Sequence, residues 1–122
     1  MQVTDQATPK SRLNSERGRT LGQIAELERE FAGIVASAAD GSAGGDDEHD
    51  PEGATVAFER QHVAALLAQA RAHLEAIDAA LGKVDAGVYE ICDICHGPIG
   101  AERLAARPAA LTCVRCAAKR PA

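Results

Sequence analysis

Tryptophan is absent from this 122-residue chain, and the aromatic residues are few: Phe31, Phe58 and Tyr89. Large aliphatic side chains are scarce as well. The hydrophobic fraction is 46%, but 26 alanines and 4 cysteines make up more than half of it. A compact core normally leans on Leu, Ile, Val and Phe, each stabilising by about 1.5–3 kcal/mol when fully buried. Alanine adds little area but is the best helix former. The shortage excludes a broad aromatic core and argues against most sandwiches and barrels. It favours thin, elongated helices, with some other device holding the smaller parts together.

Other absences narrow the class further. No apolar run approaches the ~18 residues that a membrane span needs, so no membrane partner is expected. The start, Met1-Gln2-Val3-Thr4-Asp5-Gln6, has neither a basic nor an apolar signal region, and a cytoplasmic location is expected. Thiols stay reduced there, so the cysteines point to metal rather than to disulfides. Positive charge is also short, with 13 Lys and Arg against 18 Asp and Glu and a net charge of −5. A protein that binds DNA along a whole face should be basic.

What is present divides by texture. Residues 1–12 are polar, include Pro9, and read as a flexible arm. Residues 13–86 read as a helical hairpin. Its first helix carries Leu13, Thr20, Ile24, Leu27, Phe31, Ile34 and Ala38, spaced from Thr20 onward in alternating fours and threes. Gly22 and Gly33 weaken this helix by roughly 1 kcal/mol each, so it needs a partner. The second seam runs through Val56, Val63, Leu67, Ala70, Leu74, Ile77, Leu81, Val84 and Val88, with Gly87 as a stop. At 1.5 Å per residue this helix is about 45 Å long. Between the two lies a loop over 40–54, with four glycines, Pro51 and the acids Asp40, Asp46, Asp47, Glu48, Asp50 and Glu52. Two such helices should pack antiparallel and carry the acidic loop at the far end of a rod. A heptad seam can also pair between chains, and the sequence leaves both open.

The last stretch, 87–122, reads as a small metal-binding domain with a short tail. Cys92, Cys95, Cys113 and Cys116 follow the spacing C-x2-C-x17-C-x2-C, which is that of a four-cysteine zinc site. Two residues between thiolates let the backbone wrap one side of a tetrahedral ion, and the second pair supplies the other side. Four thiolates leave no position for a reacting water, so one structural zinc is expected and no enzyme. His96 is a surface neighbour of the site rather than a ligand. Around the cysteines, Arg103, Arg107, Arg115, Lys119 and Arg120 outnumber Asp93 and Glu102, making a local basic patch. No aromatic sits among them for base stacking.

The segments Gly87-Val88-Tyr89-Glu90-Ile91-Cys92-Asp93-Ile94-Cys95, Arg103-Leu104-Ala105-Ala106-Arg107-Pro108 and Cys113-Val114-Arg115-Cys116 resemble the DksA/TraR family of zinc-finger transcription regulators. The likeness spans about residues 45–118. It implies a mainly α fold, a long antiparallel coiled-coil hairpin with a four-cysteine zinc finger at its base. It also implies binding to bacterial RNA polymerase, with the hairpin inserted through the secondary channel and acidic tip residues brought near the catalytic centre. Asp46, Asp47, Glu48 and Asp50 are the tip candidates, and Arg103 and Arg107 the basic ones. No sequence-specific DNA contact is implied. Two departures stand out: Glu90 and His96 occupy places where the family usually has glycine. Some members act with a guanine-nucleotide alarmone. Arg107 matches one basic position of that site, but Ala117 stands where a second base is expected, so no tight alarmone binding is expected here. A coiled-coil adaptor for some other protein, or a nucleic-acid-binding finger, are the alternatives.

Overall fold

The computed structural model describes residues 8–42 and 51–119, with the side chains of 38–42 and 51–52 set aside. Two long helices dominate, α1 (Pro9–Ser42) and α2 (Pro51–Ala86), followed by the short α3 (Ala101–Ala106) and α4 (Val114–Lys119). Among the described residues there is no strand, only an isolated bridge between Ile91 and Pro98. The expected mainly α fold is what the chain adopts. None of the described helices is long and apolar enough to cross a membrane.

Helix α1 starts earlier than the polar texture of residues 1–12 suggested. Thr8 is the reason. Its Oγ1 accepts the Ser11 N–H at 3.1 Å, and its carbonyl accepts the Arg12 N–H at 3.0 Å. Pro9 follows at the first helical position, where a missing N–H costs nothing and its fixed φ already suits the helix. Proline plays the same part for α2, which begins at Pro51. Helix α1 runs on to Ser42, so both helices reach into the stretch 40–54 expected as loop. The acids Asp46, Asp47, Glu48 and Asp50 lie outside the described residues.

The chain forms two compact units, Met1–Arg19 with His73–Ala122, and Thr20–Ala72. These cut across the boundaries expected at 12 and 86. In the second unit Thr20, Ile24 and Leu27 of α1 and Val63, Leu67 and Ala70 of α2 are buried, which are seam positions of the two heptad patterns. Arg71 reaches Glu28 at 2.8 Å from helix to helix.

In the first unit the helices run antiparallel, as the pairs Lys10–Asp85 (3.3 Å) and Arg17–Asp78 (2.6 Å) require. These pairs are solvent-exposed, so water screens them and they add little stability. Burial carries more. Leu13 and Ile77 are 0% exposed, and with Ala80 they join Tyr89, Cys92, Ile99, Leu104, Ala109 and Cys113 in one cluster. The finger therefore has no separate core; it shares one with the ends of both long helices. Val88, assigned to the seam by spacing, is 39% exposed. The helix has already ended: Gly87 turns at φ 79, and Val88 N–H bonds back to Lys83 O at 2.9 Å. This is a glycine-closed C-terminus of the Schellman type.

Burial sets the scale for single substitutions. Ile77→Ala should destabilise the chain by about 2–5 kcal/mol. Phe58→Ala, at a ring 75% exposed, should change stability by less than about 0.5 kcal/mol. Urea unfolding followed by circular dichroism measures both, and similar losses at the two sites would contradict this placement of the core.

Candidate metal centre

Each half of the site is a tight turn built by backbone hydrogen bonds. In the first, Cys92 N–H donates to Gly97 O at 2.8 Å and His96 N–H to Cys92 O at 3.0 Å. Ile99 N–H donates to Glu90 O at 2.8 Å, beside the Ile91–Pro98 bridge. His96 sits at φ 61, the sole positive φ outside glycine among the described residues. A left-handed conformation costs a non-glycine residue roughly 1–2 kcal/mol, which accounts for a glycine preference at this place. Glu90, the other departure, keeps a negative φ and needs no glycine.

The second half is reached through α3. Gly100 precedes it at φ 107, and Arg103 Nε then donates to Thr112 O at 2.7 Å. Tyr89, 9% exposed, donates its hydroxyl to Pro108 O at 2.7 Å. Asp93 N–H bonds Leu111 O at 2.9 Å and ties the two halves together.

These turns bring the four sulfurs of Cys92, Cys95, Cys113 and Cys116 within 4.8 Å of one another. The Sγ atoms of Cys95 and Cys113 are 3.9 Å apart. Tetrahedral zinc with ~2.3 Å bonds needs sulfurs about 3.8 Å apart, so the donor set fits one such ion. Peptide N–H groups also point at sulfur. Ile94 and Cys113 donate to Cys92 Sγ, and Gly97 to Cys95 Sγ, each at 3.4 Å. Desolvation opposes ionisation of Cys92, but the N–H groups of Cys95, Cys113 and Ile94 outweigh it and bring the thiol down to about 6. Cys113 is lowered by the Cys116 N–H against a smaller desolvation cost. Cys116 goes the other way, pushed up to about 12 by burial and by the sulfurs beside it. Four sulfurs this close cannot all carry charge unless a cation joins them, which is the electrostatic signature of a metal site. Zinc bound there supplies a fixed crosslink and, with all four donors engaged, no open position for chemistry.

The two basic candidates, Arg103 and Arg107, belong to the same unit. Arg103 and Arg107 line a groove of about 620 Å³ together with Glu16, His73, Thr112 and Ala117. Glu16 and His73 pair with each other in its lining at 2.6 Å. The groove thus has a carboxylate in its wall, and Arg103 spends Nε on the backbone. The roles of Tyr89, Thr112 and Thr8 escaped the sequence reading. Thr8-Pro9 carried a recognisable cap signal, while the other two are set by tertiary contacts alone.

Residues 87–122 match the family described as prokaryotic dksA/traR C4-type zinc finger. Among solved structures, the chain is similar to the transcription factor DksA2 from Pseudomonas aeruginosa. The two are 28% identical, with a TM-score of 0.51 over 88% of this chain and 81% of that one. No curated protein sequence matches. The resemblance drawn from the cysteine segments is thus supported both by the finger and by the fold.

The chain's lone tyrosine reports on this packing. Burial is the main reason that its pKa is raised; Arg12 acts against the shift, and Glu16 and Glu90 add to it. The folded chain favours the neutral phenol. Its contribution is complete below the unfolded pKa and is lost as pH rises through the higher folded one. Absorbance titration should give a midpoint above that of the urea-unfolded chain, and Tyr89→Phe should cost about 1 kcal/mol. Coincident midpoints would contradict the buried hydrogen bond.

Proposed function

We propose that this chain is a transcription regulator that binds bacterial RNA polymerase, places its helical hairpin in the secondary channel, and acts through the acids near the hairpin's tip. The observation that carries this reading is the shared core of the first unit. A four-cysteine finger locked onto the ends of two antiparallel helices is a device for holding and presenting a hairpin. It contains no open metal position for catalysis, and the neighbouring DksA2 structure is that of a transcription factor.

The mechanism is electrostatic and steric. The finger and the adjoining helix ends bind the enzyme's outer surface, with Arg103 and Arg107 facing acidic groups there. Asp46, Asp47, Glu48 and Asp50 bring negative charge toward the metal-bearing centre of the polymerase, where carboxylates can shift the position of cations or basic side chains. DNA is not read directly. The groove beside Arg107 fits this protein-binding role better than tight alarmone binding. A phosphate site missing one base loses a charge-assisted hydrogen bond of about 1.5–3 kcal/mol, and Glu16 faces the same groove.

The test separates binding from action. With purified polymerase, the triple variant Asp46→Asn, Asp47→Asn, Asp50→Asn should still be retained on the enzyme while losing its effect in single-round transcription. Failure of the unaltered chain to associate at micromolar concentration would contradict the reading. So would tight DNA binding with a steep salt dependence, which belongs to a nucleic-acid-binding finger.

A further inference from the structure

Lys83 stands out in the last turns of α2. Its side chain is 13% exposed, although a lysine at the end of a surface helix normally reaches into water. It is turned inward onto the first half of the metal site. Nζ donates to Ile91 O at 2.5 Å and pairs with Asp93 Oδ1 at 2.9 Å. One ammonium therefore holds the residues on both sides of Cys92.

The geometry of that grip is specific. Ile91 O and Cys92 N belong to one planar peptide unit. Lys83 fixes its oxygen from the helix, and Gly97 O accepts its N–H at 2.8 Å from within the turn. A plane held at both ends cannot rotate, so the direction in which Cys92 leaves it is set. Cys92 is 0% exposed and packs in the cluster with Leu13 and Ile77. The backbone of Lys83 is used too, since its carbonyl accepts the Val88 N–H that closes α2. A single residue thus joins the helix C-terminus to a metal ligand through both main chain and side chain.

We propose that Lys83 is a positioning residue for the metal centre, coupling occupancy of the four-cysteine site to the closed end of helix α2. With metal bound, Cys92 is held, the 91–92 peptide keeps its carbonyl toward Lys83, and the Gly87–Val88 turn stays shut. Without it the peptide is free to turn, the ammonium loses its carbonyl partner, and the helix end opens. The coupling is reciprocal: what loosens the helix end also loosens the metal. This inference goes beyond the polymerase reading and does not depend on the partner.

The test compares the full-length chain with Lys83→Met, each with and without zinc, reading amide exchange at Gly87 and Val88 by NMR. Outer partners of metal ligands typically alter affinity by about 10–100-fold, so zinc removal should speed exchange about tenfold or more in the unaltered chain. In Lys83→Met that ratio should fall severalfold, the shared core carrying what remains, and Lys83→Arg should restore most of it. Cobalt substituted for zinc should show an altered ligand-field spectrum in Lys83→Met. It should be unchanged in Lys10→Met, which removes an exposed pair to Asp85 near the same helix end. An equal zinc effect in the unaltered chain and Lys83→Met would overturn the proposal, as would equal spectral change in Lys10→Met. Should Lys83→Met not fold, Asp93→Asn removes one arm of the grip, and an undiminished zinc effect there would overturn it too.

Discussion

Four sulfurs brought to one point are the constraint on which the rest of this molecule depends. The finger contributes only a few large apolar side chains to a core, and two of the buried residues it does contribute, Cys92 and Cys113, belong to the four-sulfur cluster placed to hold a metal ion. Burial and coordination are therefore one arrangement. The thiolates can be close only if a cation neutralises them. Once they are close, Cys92 is placed against Leu13 and Ile77. Because the core includes residues from both long helices, the geometry of the metal site is also the geometry of the helix ends.

This explains how a chain with so little apolar mass holds its shape. In the second unit the helices bury a narrow line of residues, Ile24 and Leu27 on one and Val63, Leu67 and Ala70 on the other. Such a seam stabilises modestly. The first unit adds a crosslink where the chain must fold back around short helices of six residues. Tyr89 and Arg103 then fasten the connecting segment by its carbonyls, Pro108 O and Thr112 O.

The repeating features were legible in the sequence. Heptad spacing located Thr20, Ile24, Leu27, Val63, Leu67, Ala70 and Ile77, because a 3.6-residue helix exposes its pattern directly. The spacing of the cysteines picked out the four whose sulfurs the fold brings together. What stayed hidden depends on contacts between distant residues or on local capping. Thr8-Pro9 starts a helix within a segment whose polar composition resembled a loose arm. Val88 follows the heptad count but lies beyond the turn at Gly87. Lys83 looks like any helix-terminal lysine until the fold brings Ile91 and Asp93 beside it, and no periodicity encodes that.

The functional account joins this base to the acids between the helices. Its central claim is spatial: the segment around Asp47 reaches the interior of RNA polymerase while the finger remains outside. A photocrosslinking residue at position 47 tests this directly. In complex with polymerase, the account predicts crosslinks to the subunit surfaces lining the secondary channel, and no such crosslinks from a probe at position 96 beside the metal site. Crosslinks from position 47 to DNA, to the outer face of the enzyme, or to no polymerase subunit would contradict it.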